Sequence, residues 1–169
     1  MQQTGSVGVV VALFLHSEIS NEPMIPVETM TLVSGKGISG NTRYYDTLNK
    51  TTGETNRNHV SLIEREQIDE HASKLNVGHI TAGLVRSNIE TRGINLLQLA
   101  GCDVRIGDTA VVEFYKGRIP CKSMDEVHPG LQKIMKKKQG VIAEIKISGI
   151  IRIGDKITML EEEREEISF

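Results

Sequence analysis

The chain has 169 residues, 38% hydrophobic, 4% aromatic and 25% charged, with a formal net charge of −2. This length fits one domain with its own buried core, which needs no disulfide or metal staple. Near-neutral charge and the absence of Trp exclude wholesale electrostatic capture by nucleic acid or membrane, and leave few stacking platforms for single strands.

In chain order, residues 7–15 are rich in Val and Leu and predict a buried strand. The run is too short to span a bilayer and lacks the basic flank of a signal peptide. Pro23 and Pro26 break the chain, and residues 27–33 alternate as a second strand. A glycine loop follows at residues 35–40, then a polar, turn-rich stretch over 41–58 of the kind that is functional when found in a compact domain. Residues 61–75 predict a helix. Ser61 and Glu64 have capping-box spacing, and Ile68, Ala72 and Leu75 share one face. A second helix is expected from Pro129 to about Lys138, stopped by Gly140.

The remaining segments read as strands: 109–115, 141–147 and 150–160 are rich in Val and Ile. Arg105-Ile106-Gly107-Asp108 and Arg152-Ile153-Gly154-Asp155 are the same tetrapeptide, each read as a turn entering a strand. Many short strands, few helices and frequent glycine turns predict a mainly β fold, a closed or nearly closed β-barrel with a few peripheral helices. Residues 161–166 are almost wholly charged and are expected to lie in solvent.

Several motifs are weak on inspection. Gly35-Lys36-Gly37-Ile38-Ser39-Gly40 spells G-x-G-x-x-G, but dinucleotide binding needs a helix to begin there, and polar residues follow instead. The loop is either a plain turn or a backbone-lined cleft wall aided by Lys36 and Arg43. His16, His59, His71, His79 and His128 are scattered without metal-ligand spacing. Lys136-Lys137-Lys138 reads as a solvated helix end.

Two cysteines, Cys102 and Cys121, make no disulfide framework, which points to a reducing, cytoplasmic setting. Cys102 reads as a small buried hydrophobe. Cys121 lies in Lys116-Gly117-Arg118-Ile119-Pro120-Cys121-Lys122. Arg118 and Lys122 are near in sequence, and cations beside a thiol favour the thiolate, which is both nucleophile and soft metal ligand. Local chemistry alone leaves an inert buried thiol and a reactive thiolate both open.

The pattern around Cys121 resembles the MOSC domain, the C-terminal module of molybdenum cofactor sulfurases, over residues 27–159. The glycine loop 35–40 resembles the family's G-x-G-I-x-G-D loop. Val60-Ser61-Leu62-Ile63 with Arg65-Glu66 is similar to its V-x-L and following helix. Residues 83–96 resemble its G-D-x-G-E-N stretch, and Arg118-Ile119-Pro120-Cys121 after Arg105-Ile106-Gly107-Asp108 matches its R-x-P-C signature. Asn41 stands where the family loop carries an acidic residue, and Arg86-Ser87-Asn88 stands for G-E-N. Both changes make the cleft more cationic, which suits an anionic ligand such as a pterin phosphate.

The resemblance implies a β-rich barrel that binds the molybdenum cofactor. Cys121 is then the key residue, carrying persulfide sulfur or ligating the cofactor's molybdenum. Lys36, Arg43, Arg65, Arg86, Asn88, Arg118 and Lys122 would line the cofactor cleft, with Asn88 offering both donor and acceptor to a pterin edge. The relatives imply two other roles: a molybdenum-dependent reductase of N-hydroxylated compounds, or a non-catalytic cofactor and persulfide chaperone. Any cysteine desulfurase with its pyridoxal phosphate, molybdoenzyme or electron donor would be a separate partner protein. Exposed strand edges offer a route to a homodimer.

Overall fold

The computed structural model describes residues 2–41 and 43–161, with backbone only for residues 2–6 and 161. Seven strands form a closed barrel. They are β1 (Gln2–Leu15), β5 (Val60–Glu64), β6 (Ile89–Arg92), β7 (Asp103–Ile106), β8 (Ala110–Gly117), β9 (Val141–Ile147) and β11 (Lys156–Glu161). The order β11-β7-β8-β9-β5-β6-β1 closes through a β1–β11 pairing, and the short β2 (Ile25–Val27) adds to β1. Closure leaves no open edge among the seven, which is how antiparallel folds avoid edge-to-edge pairing. A second sheet, β10 (Gly149–Arg152), β3 (Thr29–Val33) and β4 (Gly37–Ile38), packs its Met30, Leu32, Ile38 and Ile151 into the barrel core.

One pairing is parallel, β5 with β6. Parallel neighbours need a crossover, and α1 (Arg65–Lys74) supplies it. Ile68, His71 and Ala72 form its buried face, and Asn76 just past its end turns left-handed at φ 55°. α1 packs in a second apolar cluster with Ile63, Val85, Met124, Leu131 and Met135. No helix among the described residues is long and apolar enough to cross a membrane.

The expected mainly β barrel with few helices is what forms. Several elements differ. The helix expected from residue 61 starts only at Arg65, because Val60–Glu64 pairs with β9 and β6. No capping box forms: the Ser61 hydroxyl bonds Asn88, and the Glu64 carboxylate accepts from the Leu96 N–H at 2.8 Å. The helix expected at 129–138 shortens to α3 (Leu131–Ile134), entered through Gly130, left-handed at φ 88°, and a separate short helix, α2 (Met124–Val127), precedes it. The strand expected over 27–33 is two strands, and so is that over 150–160. The repeated tetrapeptides each run from a strand end into a turn: Arg105-Ile106 ends β7, and Arg152 alone ends β10. The two turns meet, since the Gly107 N–H donates to the Lys156 carbonyl at 2.9 Å. Beyond Glu161, the acidic run expected in solvent lies outside the described residues.

Candidate functional site

Three strands meet at Asn88, immediately before β6. Its Nδ2 donates to the Phe14 carbonyl on β1 at 3.1 Å. Its Oδ1 accepts from both the N–H and the hydroxyl of Ser61 on β5, each at 3.1 Å. Its own N–H donates to Ser61 Oγ at 3.0 Å. Asn88 is buried, and these internal bonds hold β1, β5 and β6 in register where they bound a cleft of about 210 Å³.

The cleft is lined mainly by uncharged polar groups: His16, Asn41, Tyr44, Asn58, His59, Ser61 and Asn88, with Arg118 as its cation. His16 follows β1. Its backbone N–H donates to Asn41 Oδ1 at 2.7 Å, its ring Nδ1 stands 3.3 Å from the same oxygen, and its ring meets the Tyr44 ring edge-on at 4.8 Å. Burial, then the charge of Arg86, pushes the His16 pKa down to about 4 against the opposing bond to Asn41. His16 is therefore a neutral imidazole at physiological pH. His59 is likewise pushed below its ordinary value by burial. Its Nδ1 accepts from the Ile145 N–H at 2.9 Å, tying the residues before β5 to β9.

Arg118 leaves the end of β8 and reaches back to the loop before β6. Its Nη1 donates to the Val85 carbonyl at 3.2 Å and to Ser87 Oγ at 2.8 Å, and its Nη2 to the Arg86 carbonyl at 2.9 Å. Arg118 is half-buried as a residue, but its guanidinium is enclosed by this loop. Burial lowers its pKa to about 10, so it stays charged at neutral pH. The loop it grips contains Arg86 at φ 63°, a left-handed conformation that is strained for a residue with a side chain. Arg86 Nη1 in turn donates to the Glu22 carbonyl at 2.9 Å. Arg86 and Ser123 line a neighbouring cleft of about 280 Å³, so the 118–123 segment borders both spaces.

Cys121 is exposed on that segment, with Ser123 Oγ against its Sγ. Burial pushes the thiol up. Bonds from the Ser123 hydroxyl and N–H, and the charge of Arg118, outweigh that and hold it below its ordinary value. The arrangement presents an accessible thiol whose thiolate form is favoured relative to a free cysteine. Ser123→Ala is expected to move the pH profile of Cys121 alkylation upward and slow it several-fold at neutral pH. Rates measured with mass resolution of the two cysteines would check this.

The structure brings some of the expected site residues together and separates others. Asn88 and Arg118 line the cleft, but their polar groups are engaged internally. Arg43 sits over the Tyr44 ring at 5.4 Å, and with Arg86 it acts on His16 through space. Lys122 is exposed beside Cys121, and Lys36 is exposed on the glycine loop. Neither Lys36 nor Lys122 lines the cleft. Arg65 lies apart from these residues. It is buried, with Nη1 3.2 Å from Glu90 and further bonds to Asp69 and the Ile80 carbonyl, and it lines no part of the cleft. Its guanidinium is occupied by these internal partners and neutralises the buried Glu90 carboxylate.

Sequence reasoning did not place His16, Ser61 or Ser123 around the candidate site, and it noted Asn41 only for its lost charge. A histidine ending an apolar strand run was the one available signal. Among the described residues no three His, Cys, Asp or Glu side chains cluster to hold a metal.

The site is a polar cleft with one lining cation at the edge of a closed barrel, together with an exposed thiol held below its ordinary pKa. The chain belongs to the MOSC domain family, whose model matches residues 49–158. The fold is similar to the YuaD protein of Bacillus subtilis, with TM-score 0.77, 17% identity, and coverage of 90% of this chain and 94% of that one. It is also similar to YiiM of Geobacillus stearothermophilus (TM-score 0.62, 17% identity, 92% and 74% covered). YiiM of Escherichia coli gives TM-score 0.65 at 13% identity, with 93% and 72% covered. No curated protein matches the sequence.

Proposed function

We propose that this chain binds the molybdenum cofactor and that the Cys121 thiolate is its reactive atom, as a sulfur carrier or as the ligand to the cofactor's metal. The observation that supports this most is the exposed Cys121 thiol, held below its ordinary value beside Arg118. A soft thiolate is the side chain that suits both roles. The residues present fit the cofactor in kind. The thiolate supplies one soft ligand, and Arg43, Arg86 and Arg118 make the surroundings cationic, as an anionic pterin phosphate requires. The cofactor, when bound, would supply redox chemistry at its metal. The neutral His16 would offer a ring hydrogen bond to a ligand in the cleft and would not take up a proton at neutral pH.

Sulfur carriage balances without a further reagent. The Cys121 thiolate attacks the outer sulfur of a donor persulfide, R–S–SH. The new S–S bond takes the thiolate's electron pair, the donor's S–S bond breaks, and R–S⁻ leaves, giving Cys121–S–SH. The donor would be a partner protein such as a desulfurase, and its own cofactor would stay with it.

The test is loading by a small persulfide. Glutathione persulfide under anaerobic conditions is expected to add one sulfur mass to the wild-type chain and to Cys102→Ser, and none to Cys121→Ser. Equal loading of Cys121→Ser would remove Cys121 from the role.

A further inference from the structure

The second cleft, of about 280 Å³, has a use that the polar cleft does not cover. Asn21, Met24, Leu84, Arg86, Ser123 and Glu126 are among the residues that line it. Sites for drug-sized ligands run to roughly 300–1,000 Å³, so this one suits a smaller molecule. Its two charged side chains are opposite in sign. Neither Arg86 nor Glu126 forms an ion pair among the described residues, so the two do not neutralise each other. Arg86 is held in place all the same. Its Nη1 donates to the Glu22 carbonyl at 2.9 Å, which engages one part of a guanidinium that has several N–H donors. Glu126 stands exposed on α2.

The charges select the class of ligand. An anion alone would satisfy Arg86 and be repelled by Glu126, and an amine alone would do the reverse. A zwitterion meets both. An α-amino acid carries its carboxylate and ammonium on one carbon, which suits a cleft this small, and a carboxylate is the group that a guanidinium fork binds best. The cleft also adjoins the thiol. Ser123 lines it, and the Ser123 hydroxyl is in contact with Cys121 Sγ. An amino acid held by its two charged groups therefore has its side chain left to reach Ser123 and Cys121.

We propose that this cleft binds a free sulfur-bearing amino acid, cysteine or its persulfide, with the carboxylate on Arg86, the ammonium on Glu126 and the sulfur at Cys121. With cysteine persulfide in place, the Cys121 thiolate attacks the outer sulfur. The donor's S–S bond breaks, and cysteine leaves as its thiolate and takes a proton from water. A small-molecule donor then loads Cys121 directly, alongside any protein donor. That step rests on the reading of Cys121 as a sulfur carrier; the amino acid site itself does not. Two charges and a sulfur give three fixed points of attachment, so the site distinguishes the L from the D enantiomer.

The experiment is disulfide exchange with cystine, which needs neither persulfide nor molybdenum. The Cys121 thiolate attacks one cystine sulfur, a mixed disulfide with cysteine forms, and the other cysteine leaves as its thiolate. The adduct is followed by mass in the Cys102→Ser chain, with L-cystine and D-cystine at equal concentration. L-cystine is expected to react at least several-fold faster. Glu126→Gln and Arg86→Gln should each bring the two rates together. The ratio of enantiomers within one chain cancels any change in the thiol's own reactivity, so a variant that only perturbs Cys121 does not imitate the result. Cystamine, which has the amines and lacks the carboxylates, should be slowed more by Glu126→Gln than by Arg86→Gln. Equal rates for the two enantiomers in the starting chain, a preference that survives either substitution, or cystamine slowed as much by Arg86→Gln as by Glu126→Gln would overturn the proposal. Failure of glutathione persulfide to load Cys121 while the enantiomer preference stands would instead count against the proposed function and leave this site in place.

Discussion

Gly140→Ala is expected to destabilise the fold by about 3–5 kcal/mol and lower the unfolding midpoint by about 10 °C. Gly140 precedes β9 at φ 75°, and a Cβ there would lie 1.9 Å from the Leu62 carbonyl oxygen and 2.9 Å from the Ile63 Cα. Both obstacles are backbone, so no side chain can rotate away. Leu62 pairs with Val141, and the substitution therefore pushes β9 off β5 within the barrel wall. The Arg118 N–H also donates to the Gly140 carbonyl at 3.1 Å. The shift should accordingly reach the cleft, and thermal unfolding followed together with Cys121 alkylation should show both effects. A midpoint within a degree or two of wild type would contradict this packing.

Arg65→Ala is expected to cost about 3–5 kcal/mol, because it leaves a buried carboxylate without its cation. Glu90 is almost fully buried, with Oε1 3.2 Å from Arg65 and Oε2 accepting from the Gly83 N–H at 2.8 Å. The pair joins α1 to β6 and to the 80–83 turn. Replacing both members, as Arg65→Met with Glu90→Leu, is expected to recover much of the loss. The difference appears as a coupling of a few kcal/mol in a denaturant double-mutant cycle. If Arg65 served a ligand, its loss would weaken binding in a chain of unchanged stability; the expected result is the reverse.

The barrel was legible because its strands announce themselves. Runs such as 141–147 and 109–115 are dense in Val and Ile, and glycine turns separate them. What stayed hidden was β5. Val60-Ser61-Leu62-Ile63-Glu64 runs without a break into α1, so its hydrophobic positions also satisfy a helical period. Ser61 points inward for a partner 27 residues away, a pairing that no local pattern encodes.

The candidate site divides in the same way. Cys121 was legible because its signature is contiguous, Arg118 to Cys121. The cleft around His16, Asn41, Ser61 and Asn88 was not, because barrel closure, and not sequence proximity, assembles it from four strand ends and loops. Cationic residues were assigned to it by motif position, which says nothing of direction. Arg65 turns into a buried ion pair, and Arg118 grips the backbone of the 85–87 loop.

The most direct test of Cys121 as the reactive atom is intact mass with metal analysis on protein isolated as the cell makes it. Wild type and Cys121→Ser would be purified anaerobically, without reductant, from cells that synthesise the cofactor. The expected result is an added sulfur mass or bound molybdenum in the wild type that is absent from Cys121→Ser. A sulfur mass or molybdenum content unchanged by Cys121→Ser would contradict it.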